Sequence, residues 1–375
     1  MSAPAAPEKT PLNAVHRSLG ARMVDFGGWD MPVQYSQIID EHHTVRRAVG
    51  LFDVSHMGEV EITGPQAFDL VNFIATSAVS KIVDGQAQYA GLLYEHGGFV
   101  DDILIYRVAA NRYFLCVNAS NQQKDFEHIR DVNTARGFDC AVDFASPRWA
   151  QLAVQGPAAA ATVQPLTPVD LSSIRYYRFA DGDLDAGQAG RIPARIARTG
   201  YTGEDCFELF VAPEHVEPLW RRVMESGAAH GIKPCGLGAR NTLRLEAGMA
   251  LYGHEIGPSI TPIEAGLYPR NVDLGKDFVG KPMCEKQVRE GVARRLCGIE
   301  MTGRGIARDN YEVFAGGSPV GFVTSGSPSP TLGKNIALCY LPTGLAAPGT
   351  KVEVQIRGQL TEAAVVATPF YKRPR

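Results

Sequence analysis

From Arg294 onward no stretch keeps a helical period, whereas the residues before it alternate helical and strand signals. That change of regime limits the fold more than any single motif, because a tail of strands alone cannot continue a mixed helix–sheet layer. Its short β-type runs at 320–324, 336–340 and 351–356 are separated by Gly, Pro and Ser turns, which is the pattern of a separate small barrel or sandwich. The basic, polar stretch 281–295 reads as the connection, and 324–331 as a turn-rich loop.

Before the tail, one device occurs twice. The segment GEVEIT at 58–63 alternates as a strand should, Gly64-Pro65 breaks it, and Ala67, Leu70, Val71 and Ile74 then mark the apolar stripe of a helix. Residues 151–155 form a second short apolar strand, followed by Gly156-Pro157 and an Ala-rich helix start, 92 positions after the first device. A duplicated α+β half and the chance recurrence of a common turn both account for this. Residues 42–48 read as a polar helix.

Composition narrows the function classes. With 45% hydrophobic and 21% charged residues the chain reads as an ordinary soluble globular protein. A net charge of −3 provides no basic field for nucleic acid or membrane, so an anionic ligand must be held by local arginines and backbone amides. No apolar run is long enough for a membrane-spanning helix. The first ten residues are small, Pro-rich and polar, unlike a signal or transit peptide. The seven cysteines form no CxxC pair, so neither a zinc site nor a disulfide framework is expected. A reducing, cytoplasmic setting is expected.

Three stretches can carry chemistry. In GGFVDDILIY, a hairpin turn at Gly97-Gly98 leads into a strand that is apolar except for Asp101 and Asp102. Neighbouring strand residues face opposite ways, and parity alone does not choose between them. In RTGYTGEDCFEL, two glycines free a loop and Glu208 interrupts an otherwise apolar strand. A carboxylate there suits a ligand offering two parallel N–H donors, as a pterin does, or else pairs with a structural arginine. In GLGARNTLRLEAG, Arg240 and Arg244 share a helix face and can hold a carboxylate tail, pair with a carboxylate such as Glu208, or simply face solvent. As a dinucleotide loop this GxG is weak, because the third glycine is missing. The stretch Asp53-Val54-Ser55-His56-Met57 holds Asp, Ser and His too close together to form a hydrolase triad by spacing alone. His42-His43 point different ways and do not suggest a shared metal.

Taken in order, these stretches resemble the T-protein family of the glycine cleavage system, the aminomethyltransferases. The match runs through RMVDFGGW with Met31-Pro32, GLFDVSHM, GGFVDD, VQGP, RTGYTGED, GLGARNTLRLEAG with Leu251-Tyr252-Gly253, and finally TSG with SPTLG. The resemblance implies an α+β fold of three domains in a cloverleaf around a central folate site, the last a β-barrel. On that basis the folate-binding catalytic region is expected at 12–280, as two α+β lobes with boundaries near 55 and 145, and the barrel at 281–375.

The resemblance also implies Asp102 as the essential carboxylate near the folate nitrogens, and Tyr89, Asn118, Tyr201, Glu208 and Arg240 in the same pocket with Met57 at its wall. It implies tetrahydrofolate as one-carbon acceptor, the lipoyl-bearing H-protein as partner and no metal. The chain departs from the family pattern at Asn241, where an acidic residue is expected, and at 266–270, which lacks an expected tryptophan. In the implied reaction an S–CH2–NH2 adduct loses ammonia while a folate nitrogen attacks the carbon. A fixed carboxylate stabilises the developing cation and orients or deprotonates that nitrogen. Two rival readings share the folate site: a demethylase of a small methylated amine or sulfonium compound, and a non-catalytic folate protein of iron–sulfur maturation. The Lys-Gly-Cys motif of the latter is absent.

Overall fold

The computed structural model describes residues 6–374, so the expectation about a leader falls partly on residues 1–5, outside the described residues. The chain divides into two compact units. One comprises residues up to 68 with 82–88 and 104–241; the other comprises 69–81, 89–103 and 242 onward. The division runs inside the strand Phe99–Ala109 and inside the helix Leu237–Glu246.

The first unit is built on a six-stranded sheet. Its strands are, in order across the sheet, Phe179–Asp185, Arg191–Ala197, Cys206–Val211, Ala150–Gln155, Gly50–Asp53 and Lys233–Pro234. All neighbours are antiparallel except the last pair. The register sets Phe207 opposite Val154, Glu208 opposite Ala153 and Leu209 opposite Leu152. Alternation therefore sends Leu152, Val154, Phe207, Leu209 and Val211 to one face, where they join Val216, Leu219, Trp220 and Val223 of the helix Pro213–Ser226 in one core. Each such side chain contributes about 1.5–3 kcal/mol on full burial. The other face carries Gln151, Gln155, Glu208 and Phe210.

That second face meets a further sheet, in which Leu104–Ala109, Arg112–Val117, Gly58–Thr63 and Ala141–Phe144 lie side by side. Tyr106, Phe114 and Phe210 meet there edge-on, with ring centroids 5.3–5.7 Å apart. Both central strands of the first sheet are thus covered on two sides, which is why Ala150–Gln155 and Cys206–Val211 are buried throughout.

The two strand–Gly–Pro–helix devices adopt the same turn. Gly64 and Gly156 have φ of 137° and 138°. A Cβ at Gly64 would lie 2.7 Å from the Cys140 Cα, and one at Gly156 2.5 Å from the Ala48 carbonyl oxygen. Only glycine fits either turn.

The second unit contains a closed barrel whose strands run in the order Arg294–Met301, Lys334–Pro342, Ser318–Ser329, Glu312–Ala315, Lys351–Ile356 and Gln359–Val366. Closure leaves no exposed sheet edge. Its interior is filled by Ile299, Val313, Val323, Cys339, Leu341 and Val354.

The polar stretch 281–295 holds a helix, Lys281–Glu290, with Pro near its start and Gly291 at its end. One expectation for this region needs correction. Residues 324–329 are not loop but the second half of the long strand Ser318–Ser329. Their hydroxyls are buried because they face buried charges. Thr324 Oγ1 donates to Glu255 Oε1 at 2.6 Å, Ser325 Oγ accepts from Arg244 Nη2 at 2.7 Å, and Ser329 Oγ donates to Glu246. Among the described residues, no helix is long and apolar enough to cross a membrane.

Candidate functional site

In the first unit the sequence RTGYTGED becomes a loop between the strands Arg191–Ala197 and Cys206–Val211. It is clamped at both ends. Arg198 grips Asp205 through two bonds of 2.9 and 2.7 Å, and Arg46 reaches the Thr202 carbonyl at 2.7 Å and Glu204 at 2.8 Å. Gly200 is required because a Cβ there would sit 2.7 Å from the Cys206 Sγ.

Just beyond the loop lies Glu208, only 5% exposed. Thr199 Oγ1 donates to its carboxylate, and the Tyr106 hydroxyl lies 3.1 Å from that same Thr199 oxygen. Burial pushes the Glu208 carboxyl above its usual range, while Thr199, Arg240 and Tyr106 pull it back part of the way.

Arg240, on the helix Leu237–Glu246, lies over the Tyr201 ring with its guanidinium carbon 4.6 Å from the centroid. Its Nη1 is buried with no hydrogen-bond partner among the described residues. Glu208, Tyr201 and Arg240, expected at the site, therefore stand together. The glycines before this arginine serve packing: a Cβ at Gly236 would meet the Val33 carbonyl carbon at 2.4 Å, and one at Gly238 the Ile38 Cδ1 at 2.6 Å.

Met57 is half-buried and lines a cavity of about 560 Å³ with Trp29, Ser55, Ser120, Gln122 and Phe144. Asn118, also half-buried, follows the strand Arg112–Val117 and precedes Ala119 of the same cavity wall. His56, which spacing did not single out, is 2% exposed, and burial followed by the charge of Arg240 draws its pKa down to about 4. It is a neutral imidazole near neutral pH. Its place next to Met57 was the only local clue.

In the second unit, Tyr89 and Asp102 form a pair. The Tyr89 hydroxyl donates to Asp102 Oδ2 at 3.0 Å. The tyrosine is anchored through its own carbonyl, which accepts from Ser77 Oγ at 2.8 Å and Asn271 Nδ2 at 3.3 Å. Asp102 is half-buried, whereas Asp101 is wholly buried on the face it shares with Phe99 and Ile103. The preceding turn needs Gly97 for a φ of 87°, and Gly98 because a Cβ would lie 1.8 Å from the Pro258 carbonyl oxygen.

Arg244 pairs with a carboxylate, one of the alternatives the sequence left open, but the partner is Glu255 and not Glu208. Arg244 is 1% exposed, and its Nη1 donates to Glu255 Oε2 at 2.7 Å, so it serves the structure and not a ligand. Among the described residues, no group of three or more His, Cys, Asp and Glu side chains is placed to hold a metal ion.

Comparison with known proteins finds relatives along the whole chain. Residues 12–275 match the GCVT N-terminal domain, and 294–372 the glycine cleavage T-protein C-terminal barrel domain. A protein named aminomethyltransferase from Acidobacterium capsulatum is 51% identical over 379 residues, covering 100% of this chain and 98% of its own. One of the same name from Symbiobacterium thermophilum is 50% identical, covering 98% of each. The crystal structure of the glycine cleavage system aminomethyltransferase T from Bartonella henselae superposes with a TM-score of 0.89 at 31% identity, over 97% of this chain and 98% of that one. On the strength of its two matched domains and its full-length relatives, this chain belongs to the glycine cleavage T-protein family.

Proposed function

We propose that the protein is a tetrahydrofolate-dependent aminomethyltransferase. It takes the methylene carbon from an S-aminomethyl-dihydrolipoyl group carried by an H-protein, releases ammonia and forms 5,10-methylenetetrahydrofolate. The observation that supports this best is a half-buried carboxylate, Asp102, that accepts a hydrogen bond from a tyrosine hydroxyl. In the reaction N5 and N10 of the folate each form a bond to the methylene carbon and each lose a proton, while the C–N bond breaks to release ammonia and the C–S bond breaks to return the dihydrolipoyl thiol, the two leaving groups taking up the two protons.

Asp102 has two tasks in this scheme. Its negative charge stabilises the positive charge on the reacting carbon, and its carboxylate orients or deprotonates the attacking nitrogen. Glu208 accepts from the N–H edge of the pterin, and Arg240, Tyr201, Met57, Asn118 and Tyr89 line the folate. A reducing, cytoplasmic setting fits these substrates and the free thiols.

The direct test mixes the enzyme with aminomethylated H-protein and tetrahydrofolate and follows both products. Methylenetetrahydrofolate and ammonia are expected in equal amounts. Folate binding without either product would point instead to a different one-carbon donor.

The role given to Glu208 has a pH signature. Since its carboxyl titrates above the ordinary value, acidification protonates it earlier than an exposed glutamate and removes an acceptor from the ligand. Tetrahydrofolate affinity is expected to fall as pH drops through that raised value. Glu208→Gln should weaken binding near neutral pH by about 1.5–3 kcal/mol, roughly tenfold to a hundredfold, and flatten the acid dependence. Calorimetric titration at several pH values checks both. Unchanged affinity with early melting in the variant would make Glu208 a structural residue.

A further inference from the structure

The stretch Asp53-Val54-Ser55-His56-Met57 carries two residues of the candidate site, and its first residue is the end of a buried chain of hydrogen bonds. Asp53 is 3% exposed and lies at the end of the strand Gly50–Asp53. Its Oδ1 accepts the backbone N–H of Ser55 at 2.9 Å. Its Oδ2 accepts from Thr10 Oγ1 at 2.6 Å and contacts His16 Nε2 at 2.8 Å. The other ring nitrogen of His16, Nδ1, lies 2.8 Å from the Tyr35 hydroxyl. His16 is wholly buried, held edge-on between the rings of Tyr35 and Trp220.

The direction of the chain follows from these partners. A carboxylate only accepts, so Nε2 carries the proton toward Asp53, and with a neutral ring Nδ1 accepts from the Tyr35 hydroxyl. Burial pushes the Asp53 carboxyl up, yet His16, Thr10 and Ser55 outweigh it and leave it below the ordinary value. One oxygen of a buried carboxylate is thus spent on the N-terminal segment, and the other on the backbone of the loop that ends in His56 and Met57.

A buried polar network is weak evidence for stability, because apolar residues of similar shape often serve as well. What such a network supplies is a single geometry. Here the geometry fixed is that of the loop. Ser55 Oγ exchanges bonds of 3.0 and 3.3 Å with the backbone N–H and carbonyl of Gln151, and Met57 N donates to the Val54 carbonyl at 3.0 Å. The Ser55 bonds to Gln151 depend on where the Asp53 carboxylate holds Ser55.

We propose that Asp53 and His16 are positioning residues for the folate site, holding the 53–57 turn so that Met57 and His56 keep their places against the ligand. This rests on the folate reading above. The prediction is a selective change in kinetics. Asp53→Asn and His16→Leu are expected to raise KM for tetrahydrofolate by about tenfold to a hundredfold, since misplacing a wall residue costs binding without removing the reacting groups. KM for aminomethylated H-protein should stay within about twofold. His16→Gln retains a donor for Asp53 Oδ2 and should restore most of the folate KM.

A merely structural role gives a different pattern, because a smaller folded fraction lowers kcat and leaves both KM values unchanged. That result in Asp53→Asn and His16→Leu overturns the proposal, and so does a His16→Gln variant as impaired as His16→Leu. Should the buried variants not fold, Thr10→Val removes a single bond to the same oxygen. It must raise the folate KM in the same selective way, by a smaller factor, and a KM unchanged within about twofold counts against the proposal equally. Tetrahydrofolate binding to the wild-type protein is measured first. If it is absent the folate reading fails, which is a separate result from normal wild-type binding with unaltered variants.

Discussion

Replacing Asp102 by Asn is expected to lower aminomethyl transfer by about 10²–10⁴-fold, the range for losing a positioned acid–base group. Asparagine has nearly the same size and keeps one oxygen to accept from Tyr89, so the 3.0 Å contact and the strand around it can survive. What disappears is the negative charge. If that charge stabilises a cationic carbon, the loss belongs to the transition state, and tetrahydrofolate affinity should change far less than the rate. Single-turnover transfer and equilibrium folate binding on the same variant separate the two. Comparable losses in both would show Asp102 to be a binding residue only.

The neighbouring aspartate shows why stability must be measured alongside. Asp101 lies on the opposite face of the strand and is wholly buried, so Asp101→Asn disturbs a buried carboxylate and is expected to act on folding. Its folded fraction should transfer normally. Loss of transfer in a fully folded Asp101→Asn, with Asp102→Asn active, would reverse the assignment. Parity showed that the two face apart, but which one reaches a ligand depends on what covers each face, and that is not written in the strand itself.

The same division between local and distant information runs through the fold. The Gly-Pro turns after residues 63 and 155 were legible because a positive φ and a missing N–H are local demands. Glu208 was legible as a lone carboxylate in an apolar strand, since burial at such a place needs a reason near at hand. The strand at 324–329 was hidden because its hydroxyls look like loop chemistry until Arg244, Glu246 and Glu255 are seen to meet them. Those partners lie far off in sequence. His56 and Asp53 were hidden differently, since close spacing of Asp, Ser and His points to no partner, whereas the contacts that matter run to Thr10, His16 and Arg240.

Arg240 and Arg244 put that contrast to its strongest test, because they are four residues apart on one helix and equal in sequence terms. Arg244→Ala is expected to destabilise the protein by about 3–5 kcal/mol, the cost of leaving one member of a buried ion pair alone. Its guanidinium is 1% exposed and Glu255 is wholly buried, so the lost contact is one made away from solvent. Two further groups suffer: Ser325 Oγ loses a donor at 2.7 Å, and the Met249 carbonyl loses one at 3.3 Å. The remaining Glu255 charge keeps Thr324 Oγ1 and the Leu251 N–H. Arg240→Ala should cost less stability, namely the stacking on Tyr201 and the charge beside Glu208, and should mainly weaken tetrahydrofolate binding, because its Nη1 has no hydrogen-bond partner among the described residues to lose. Denaturant melts and folate titrations on both variants decide the matter. If Arg244→Ala melts like the wild type, its pair with Glu255 does not hold the barrel side of the chain together. If Arg240→Ala loses stability and keeps folate affinity, the two arginines have the same structural task after all.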